Sequence, residues 1–586
     1  MPSWLADLCE AFDRPQNSSP TKIEPKEWQP AQDSSGFLYA VEPLVTLGRE
    51  RLHQGIEALI AERAGSLSEL PFDPNTVETV LFDSLPVRLL LILSRTMALE
   101  LNVARLQGLL GGETPAERFA SFLQRLKDRN VQIALLREYP VLARQLATCI
   151  QCWVAASLEF LQRLCADWEE IRALLTAGRD PGVLVRFSDS AGDRHWGGRT
   201  VSIAEFSTGF QVVYKPKSLE AGVHFQELLT WVNQQERIPP FPTLKIIARG
   251  EYGWVEFVTA SSCSSKEEIQ KFYQRLGGYL ALLYALEAAD FHYENLIAAG
   301  ENPILIDLES LFHPRLKSDS LNRFSLENTL ANSVLRAGLL PQRLWASQEF
   351  RGVDLSGTGA APSQLIPGKQ PYWEGVATDE MRVGFKPVEL RSAQNRPSLN
   401  GVPANALDFT EEIVSGFTAI YLLLLEQREE LLSAGGSLEK FAASAVRVLV
   451  RPTRTYALLL RESCHPDVLR NALDCDRLFD RLWVDVQDRP ETAKVLPAER
   501  LDLWRGDIPM FVTRANSRDL WASDSRQIAD FAAESGMERA LCTLPAQHTA
   551  PSWLKLRRNQ AFRRRKAKVR SFHLKKPGFW YDLTDT

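Results

Sequence analysis

Between residues 183 and 258 the chain spells five short β-prone runs, "VLVRFSD", "RTVSIAEFS", "FQVVYKPK", "LKIIARGE" and "YGWVEFV", with one helix-like run, "SLEAGVHFQELLTWVNQQ", after the third. Runs this short, rich in β-branched and aromatic residues and separated by Gly-containing turns, predict a small antiparallel sheet carrying a single helix. On either side the pattern is helical. Residues 1–175 hold long stretches such as "PVRLLLILSRTMALELNVARLQGLL" with apolar positions every three to four residues, and helical spacing returns from about Ser264. The expected fold class is therefore α+β and mainly helical. Four segments are expected: a helical region at 1–175, a sheet unit at 176–262, a helical unit at 263–545 and a basic tail at 546–586.

Directly after the sheet unit comes "DFHYENLIAAGENPILIDLES", residues 290–310. A small sheet with one helix, followed by helices, a polar loop and an apolar strand ending in Asp, is the layout of a protein kinase. The spacing agrees: Asp290 is followed five positions later by Asn295, "LIAAGENPILI" reads as a hairpin, and Asp307 stands twelve residues beyond Asn295. Mg²⁺ takes hard oxygen ligands shared with nucleotide phosphates, which suits Asn295 and Asp307, while Asp290 is placed to accept a proton from an attacking hydroxyl. Lys215 closes the third strand, where a kinase holds its phosphate-gripping lysine. The Gly-containing loop "SAGDRHWGGRT" between strands one and two offers backbone N–H groups to phosphate and contains Asp193 and His195. Glu227 on the helix is the expected partner of Lys215. Glu256 and Phe257 sit where a hinge would present backbone groups to adenine.

In chain order, "GDRHWGGRTV", "VVYKPKSL", "WVEF", "DFHYENLIAAGENPILIDLESLF", "NSVLRAGLLP", "DLSGTG", "TDEM", "RPTRTY" and "GDIPMF" resemble the DUF4135-type dehydratase domain of class II (LanM-type) lanthipeptide synthetases. The resemblance implies a lipid/protein-kinase-like bilobal core that uses ATP and Mg²⁺ to phosphorylate Ser and Thr of a ribosomally made precursor peptide, a leader plus a Ser/Thr-rich core. Phosphate is then eliminated to leave dehydroalanine or dehydrobutyrine. Carried onto this chain, it makes Lys215 the phosphate-binding lysine and Asp290 and His292 catalytic-loop groups. Asn295, Asp307 and Glu309 serve the metal, Asp193 and His195 lie near the transferred phosphate, and Arg447 and Thr453 act in elimination. An Arg fork suits a phosphate dianion, which it can bind at two oxygens. Two other readings are a peptide kinase that stops at the phosphopeptide and a degenerate kinase fold that only binds peptide. Retention of Lys215, Asp290, Asn295 and Asp307 together argues against the second.

The remaining features set boundaries on function. The family's zinc-dependent cyclase motifs are not found in this sequence, so neither zinc nor ring closure by this chain is expected; a stand-alone dehydratase with a separate cyclase partner, a non-lanthipeptide modifying enzyme and an excised part of a longer protein all stay open. Eight cysteines are scattered; Cys149 and Cys152 lack a second pair, and Cys464 beside His465 reads as incidental. A net charge of -5 gives no general attraction to nucleic acid, although eleven basic and no acidic residues lie between Lys555 and Lys576. With no unbroken apolar run of bilayer length and no secretory signal at the start, a cytoplasmic protein without a membrane partner is expected.

Overall fold

The computed structural model describes residues 1–14, 35–63, 70–189, 191–318, 332–344, 352–361, 364–390 and 393–544. The basic stretch 555–576, and with it the tail expected at 546–586, lies outside the described residues.

Helices make up most of the described residues among the first 175, as the apolar spacing predicts. "TPAE" starts one of them: Thr114 caps the helix Pro115–Arg125, its side chain and that of Glu117 satisfying each other's backbone amides, with Pro at the first helical position. The region is organised around the 36-residue helix Pro140–Leu175, which buries Leu142, Leu146, Trp153, Phe160, Leu164 and Trp168. By length and composition alone this helix is long and apolar enough to cross a membrane. Arg144, Glu159 and Arg163 interrupt its apolar sequence, and its apolar face is spent on the protein's own core.

The sheet has the predicted five strands in the order β1-β2-β3-β5-β4, all neighbours antiparallel. They are β1 Leu184–Ser188, β2 Ser202–Phe206, β3 Gln211–Lys215, β4 Ile246–Ala248 and β5 Gly253–Glu256, with the helix Glu220–Asn233 between β3 and β4. Alternation along a strand sends successive side chains to opposite faces. On β3, Tyr214 meets the long helix, its ring 5.4 Å from Phe160 and its hydroxyl accepting from Arg163 at 2.6 Å. Asp167 of the same helix accepts from the Trp254 indole at 2.8 Å and from Arg249 at 2.7 Å. With that face committed to the helix, Lys215 points the other way.

The opposite face carries the helix Glu220–Asn233, where a Cβ on Gly222 would lie 3.4 Å from Ile246; its Phe225 stacks on Tyr279 of the next helix, Lys266–Ala285, which packs along Thr410–Glu426. The two backbones approach closely at a pair of glycines: a Cβ on Gly277 would sit 2.0 Å from the Ile413 carbonyl oxygen, and one on Gly416 would sit 1.8 Å from that of Gln274. No residue with a side chain fits either place. After this helix the polar loop leads into the predicted hairpin, β6 Leu296–Ala299 and β7 Asn302–Leu305, with Leu296 opposite Leu305. A four-stranded sheet, beginning with Ala445–Val448 paired to Phe511–Arg514, closes the cluster from the far side.

Behind that sheet, Arg451 is fully buried and donates to Glu499 at 2.7 Å, and Glu499 also accepts from Tyr456 at 2.7 Å. This network anchors the helix Thr453–Ser463 and accounts for two residues of the "RPTRTY" stretch. Removing one partner of a buried charged pair strands the other. Arg451→Ala should therefore lower the unfolding free energy by about 3–5 kcal/mol, read from a denaturant titration; a change within error would mean that the network is not holding this helix.

Candidate active site

Two lysines enter the cleft. Lys215 closes β3 and Lys217 stands in the bend just beyond Pro216, and both side chains line one cleft on the side away from the long helix. Lys215 donates to the Ile306 carbonyl. Burial draws its ammonium down, against the pull of Asp307. Lys217 donates to both oxygens of Asp307, each at 3.1 Å, and also to Glu309. Burial opposes its charge too, but Asp307 and Glu309 outweigh it and hold the ammonium above its ordinary range. Glu309 turns its other oxygen to Arg447, 2.6 Å away, and the Arg447 amide donates to the Glu309 carbonyl at 2.6 Å. Burial alone would raise the Glu309 carboxyl, yet Lys217 and Arg447 keep it well below the carboxylate range. Lys217, Asp307, Glu309 and Arg447 are thus one connected charge chain running from the β-sheet to the strand Ala445–Val448.

Lys215, Lys217, Asp307 and Glu309 line a common cleft walled by Leu219, Ile246, Val255 and Leu305. Its free volume of ≈ 30 Å³ accommodates about two waters.

The polar loop lies beside this chain. Asp290 has φ +66°, a left-handed conformation rare for residues other than glycine. Its carbonyl accepts from the Asn295 side-chain Nδ2 at 2.7 Å and from His292 Nδ1 at 3.0 Å. The other imidazole nitrogen donates to Glu294 at 3.2 Å. Burial works against charge on His292, but Glu294 and Asp290 raise it to about 9, so the ring is an imidazolium at neutral pH. Its Nδ1 lies 3.6 Å from the Asp290 carboxylate. Burial pushes the Asp290 carboxyl up, partly offset by His292 and Arg447, which favours proton uptake there.

Asp193 and His195 complete the cluster from the loop between β1 and β2. Partial desolvation raises Asp193 against the pull of Arg447. His195 Nδ1 lies 2.6 Å from the Ile508 carbonyl. A carbonyl only accepts, so Nδ1 carries the proton and Nε2 keeps a free lone pair. Burial and Arg447 drive the ring down to about 4. Because the folded pKa is below the ordinary His value of ~6.5, the unfolded chain binds more protons between these two values. Stability should then fall as pH drops from about 6.5 through about 4. The denaturation midpoint of His195→Gln should fall less over this window than that of the parent protein; equal slopes would rule out a neutral buried His195.

Not every predicted role survives. Glu227 does not reach Lys215; it faces outward and binds Lys440 at 2.7 Å. The Glu256 carboxylate accepts the Lys245 amide at 2.8 Å and so ties β5 to the start of β4. Phe257, half-buried, follows β5 on the way to the helix Lys266–Ala285. Thr453 is the first residue of the helix Thr453–Ser463. Lys217 was missed, although its spacing from Lys215 was legible; nothing local in the sequence pointed to Ile508.

The oxygen donors suit a divalent cation. Asp307 and Glu309 offer carboxylates, Asn295 keeps its amide oxygen after its nitrogen is engaged, and the Lys217 ammonium already stands at both carboxylates as a cation would. Among the described residues no group of three or more His, Cys, Asp or Glu is arranged around a metal position. A metal here would depend on Asn295 and on ligand oxygens.

The family profile described as Domain of unknown function (DUF4135) matches residues 139–514, well over half of the chain. The chain belongs to the DUF4135 family. The match begins at the start of the long helix and ends in the strand that pairs with Arg447, so it includes every site residue named above. One similar curated protein is the "Lacticin 481/lactococcin biosynthesis protein LcnDR2" of Lactococcus lactis subsp. lactis, 26% identical over 412 residues. That alignment covers 66% of this chain and 43% of the relative's length.

Proposed function

We propose that this DUF4135 chain is a lanthipeptide-type dehydratase acting in the cytoplasm on Ser and Thr of a ribosomally made precursor peptide, by phosphorylation and then elimination. The printed name of the Lactococcus relative, a lacticin 481/lactococcin biosynthesis protein, supports a part in making a modified peptide. The observation that carries the reading is Glu309, bonded at once to Lys217 on the nucleotide side and to Arg447 on the elimination side. In this reading the five-stranded sheet and the helices beneath it are the two lobes of a kinase-like core.

Bound ATP and Mg²⁺ would supply the phosphoryl group and neutralise its charge, with Asn295, Asp307 and Glu309 holding the ion. Lys215 and Lys217 steady phosphate oxygens, and Asp290 takes the proton of the attacking hydroxyl with His292 beside it. In the second half-reaction His195 Nε2 removes the Cα proton. That C–H pair becomes the Cα=Cβ bond as the Cβ–O bond breaks, and phosphate leaves with the bonding electrons towards Arg447, with Thr453 assigned to orient it. The narrowness of the cleft favours one other reading, a peptide-binding module that no longer turns over nucleotide.

Incubation with ATP, Mg²⁺ and the cognate precursor, followed by peptide mass, separates these readings. Loss of water supports dehydration, gain of phosphate alone supports a kinase without elimination, and binding without a mass change supports the module.

A further inference from the structure

The "GDIPMF" stretch has so far supplied only the Ile508 carbonyl. Its acid, Asp507, is 1% exposed, with Arg194 and Arg505 on the same small pocket. Its carboxylate instead accepts backbone amides of the loop that carries Asp193 and His195: Gly197 at 2.6 Å, and Gly198 at 3.1 and 3.2 Å. Both glycines have positive φ, +81° and +83°, which turns their N–H groups to one side. The next residue continues the grip, the Ile508 amide donating to the Arg194 carbonyl at 2.9 Å while the Ile508 carbonyl takes His195 Nδ1. On the opposite side the loop rests on the long helix. Arg199 donates to Glu159 at 2.9 and 3.0 Å, and a Cβ on Gly198 would lie 2.9 Å from that of Cys152.

The loop is therefore held between the helical N-terminal region and Asp507–Ile508. We infer that Asp507 is a positioning residue for the second half-reaction: by binding the Gly197 and Gly198 amides it aims the His195 imidazole at the phosphopeptide without touching it. This rests on the reading of His195 as the elimination base. Nucleotide, metal and hydroxyl are handled by Lys215, Lys217, Asp290 and Asp307, none of which bonds to Asp507, so phosphorylation should tolerate its loss better than elimination.

The test uses the full chain with Asp507→Ala and Asp507→Asn, the latter keeping one acceptor oxygen. Each variant is given the precursor peptide with ATP and Mg²⁺ and, separately, a chemically prepared phosphoserine peptide; amide exchange across 193–199 is followed by mass spectrometry. Asp507→Ala should phosphorylate the precursor, accumulate phosphopeptide and eliminate with kcat lower by roughly 10²-fold, the cost of a small misplacement of a reacting group. KM for the phosphopeptide should stay nearly unchanged, exchange at 193–199 should quicken, and Asp507→Asn should fall between parent and Ala in each readout. Elimination at the parental rate would overturn the inference. So would loss of both half-reactions with exchange quickened across the whole chain, because Asp507 would then be a general structural residue. If Ala does not fold, the same criteria apply to Asn. A parent protein inactive on peptide would remove the proposed function, whereas unchanged exchange at 193–199 in the variants would remove the grip itself.

Discussion

Asp307→Ala should abolish phosphate transfer to the peptide, with a rate loss of roughly 10³-fold or more, because the proposed mechanism has it hold the metal that stabilises charge on the transferring group. Asp307 binds Lys217 through both oxygens, so truncation also leaves that lysine with Glu309 as its remaining carboxylate partner. Asp307→Asn keeps the shape but not the charge and should lose nearly as much. Phosphopeptide and dehydrated peptide are quantified by mass, with circular dichroism confirming that the variants fold. Transfer at the parental rate in Asp307→Ala would remove this residue from the site.

Arg447→Ala should separate the two half-reactions. Its guanidinium is 11% exposed and is held by Glu309 on a strand edge, so it presents a fixed fork rather than a mobile surface charge. Losing a preorganised donor to the departing phosphate should slow elimination by roughly 10²–10³-fold, and phosphopeptide should accumulate. Glu309 keeps Lys217 as a partner, so the fold should survive. Arg447→Lys keeps the charge without the bidentate geometry and should lie between parent and Ala. Parental dehydration by Arg447→Ala would cancel its assigned role.

The parts of the site that were legible in sequence are those fixed by local spacing. Its position at the end of the third strand placed Lys215, the run "LIAAGENPILI" placed the hairpin, and the five- and twelve-residue intervals placed Asp290, Asn295 and Asp307 on connected backbone. The parts that were not legible depend on partners far along the chain. Glu227 looked like the partner of a strand lysine because both lie in the sheet unit, but Lys440, 213 residues away, claims it. Likewise the proton position on His195 is decided by the Ile508 carbonyl, 313 residues on. Lys217 is a different kind of omission: its spacing was visible, and only its pairing with two carboxylates shows that it belongs to the site.

Nucleotide should bind where the Lys-bearing sheet faces the 290–309 segment. Photolabelling with 8-azido-ATP and Mg²⁺, mapped by mass spectrometry, tests it directly. Labelling is expected within residues 244–257 or 303–309, suppressed by excess ATP and weakened in Lys215→Met. ATP-protected labelling confined to other segments, or none at all, would contradict it.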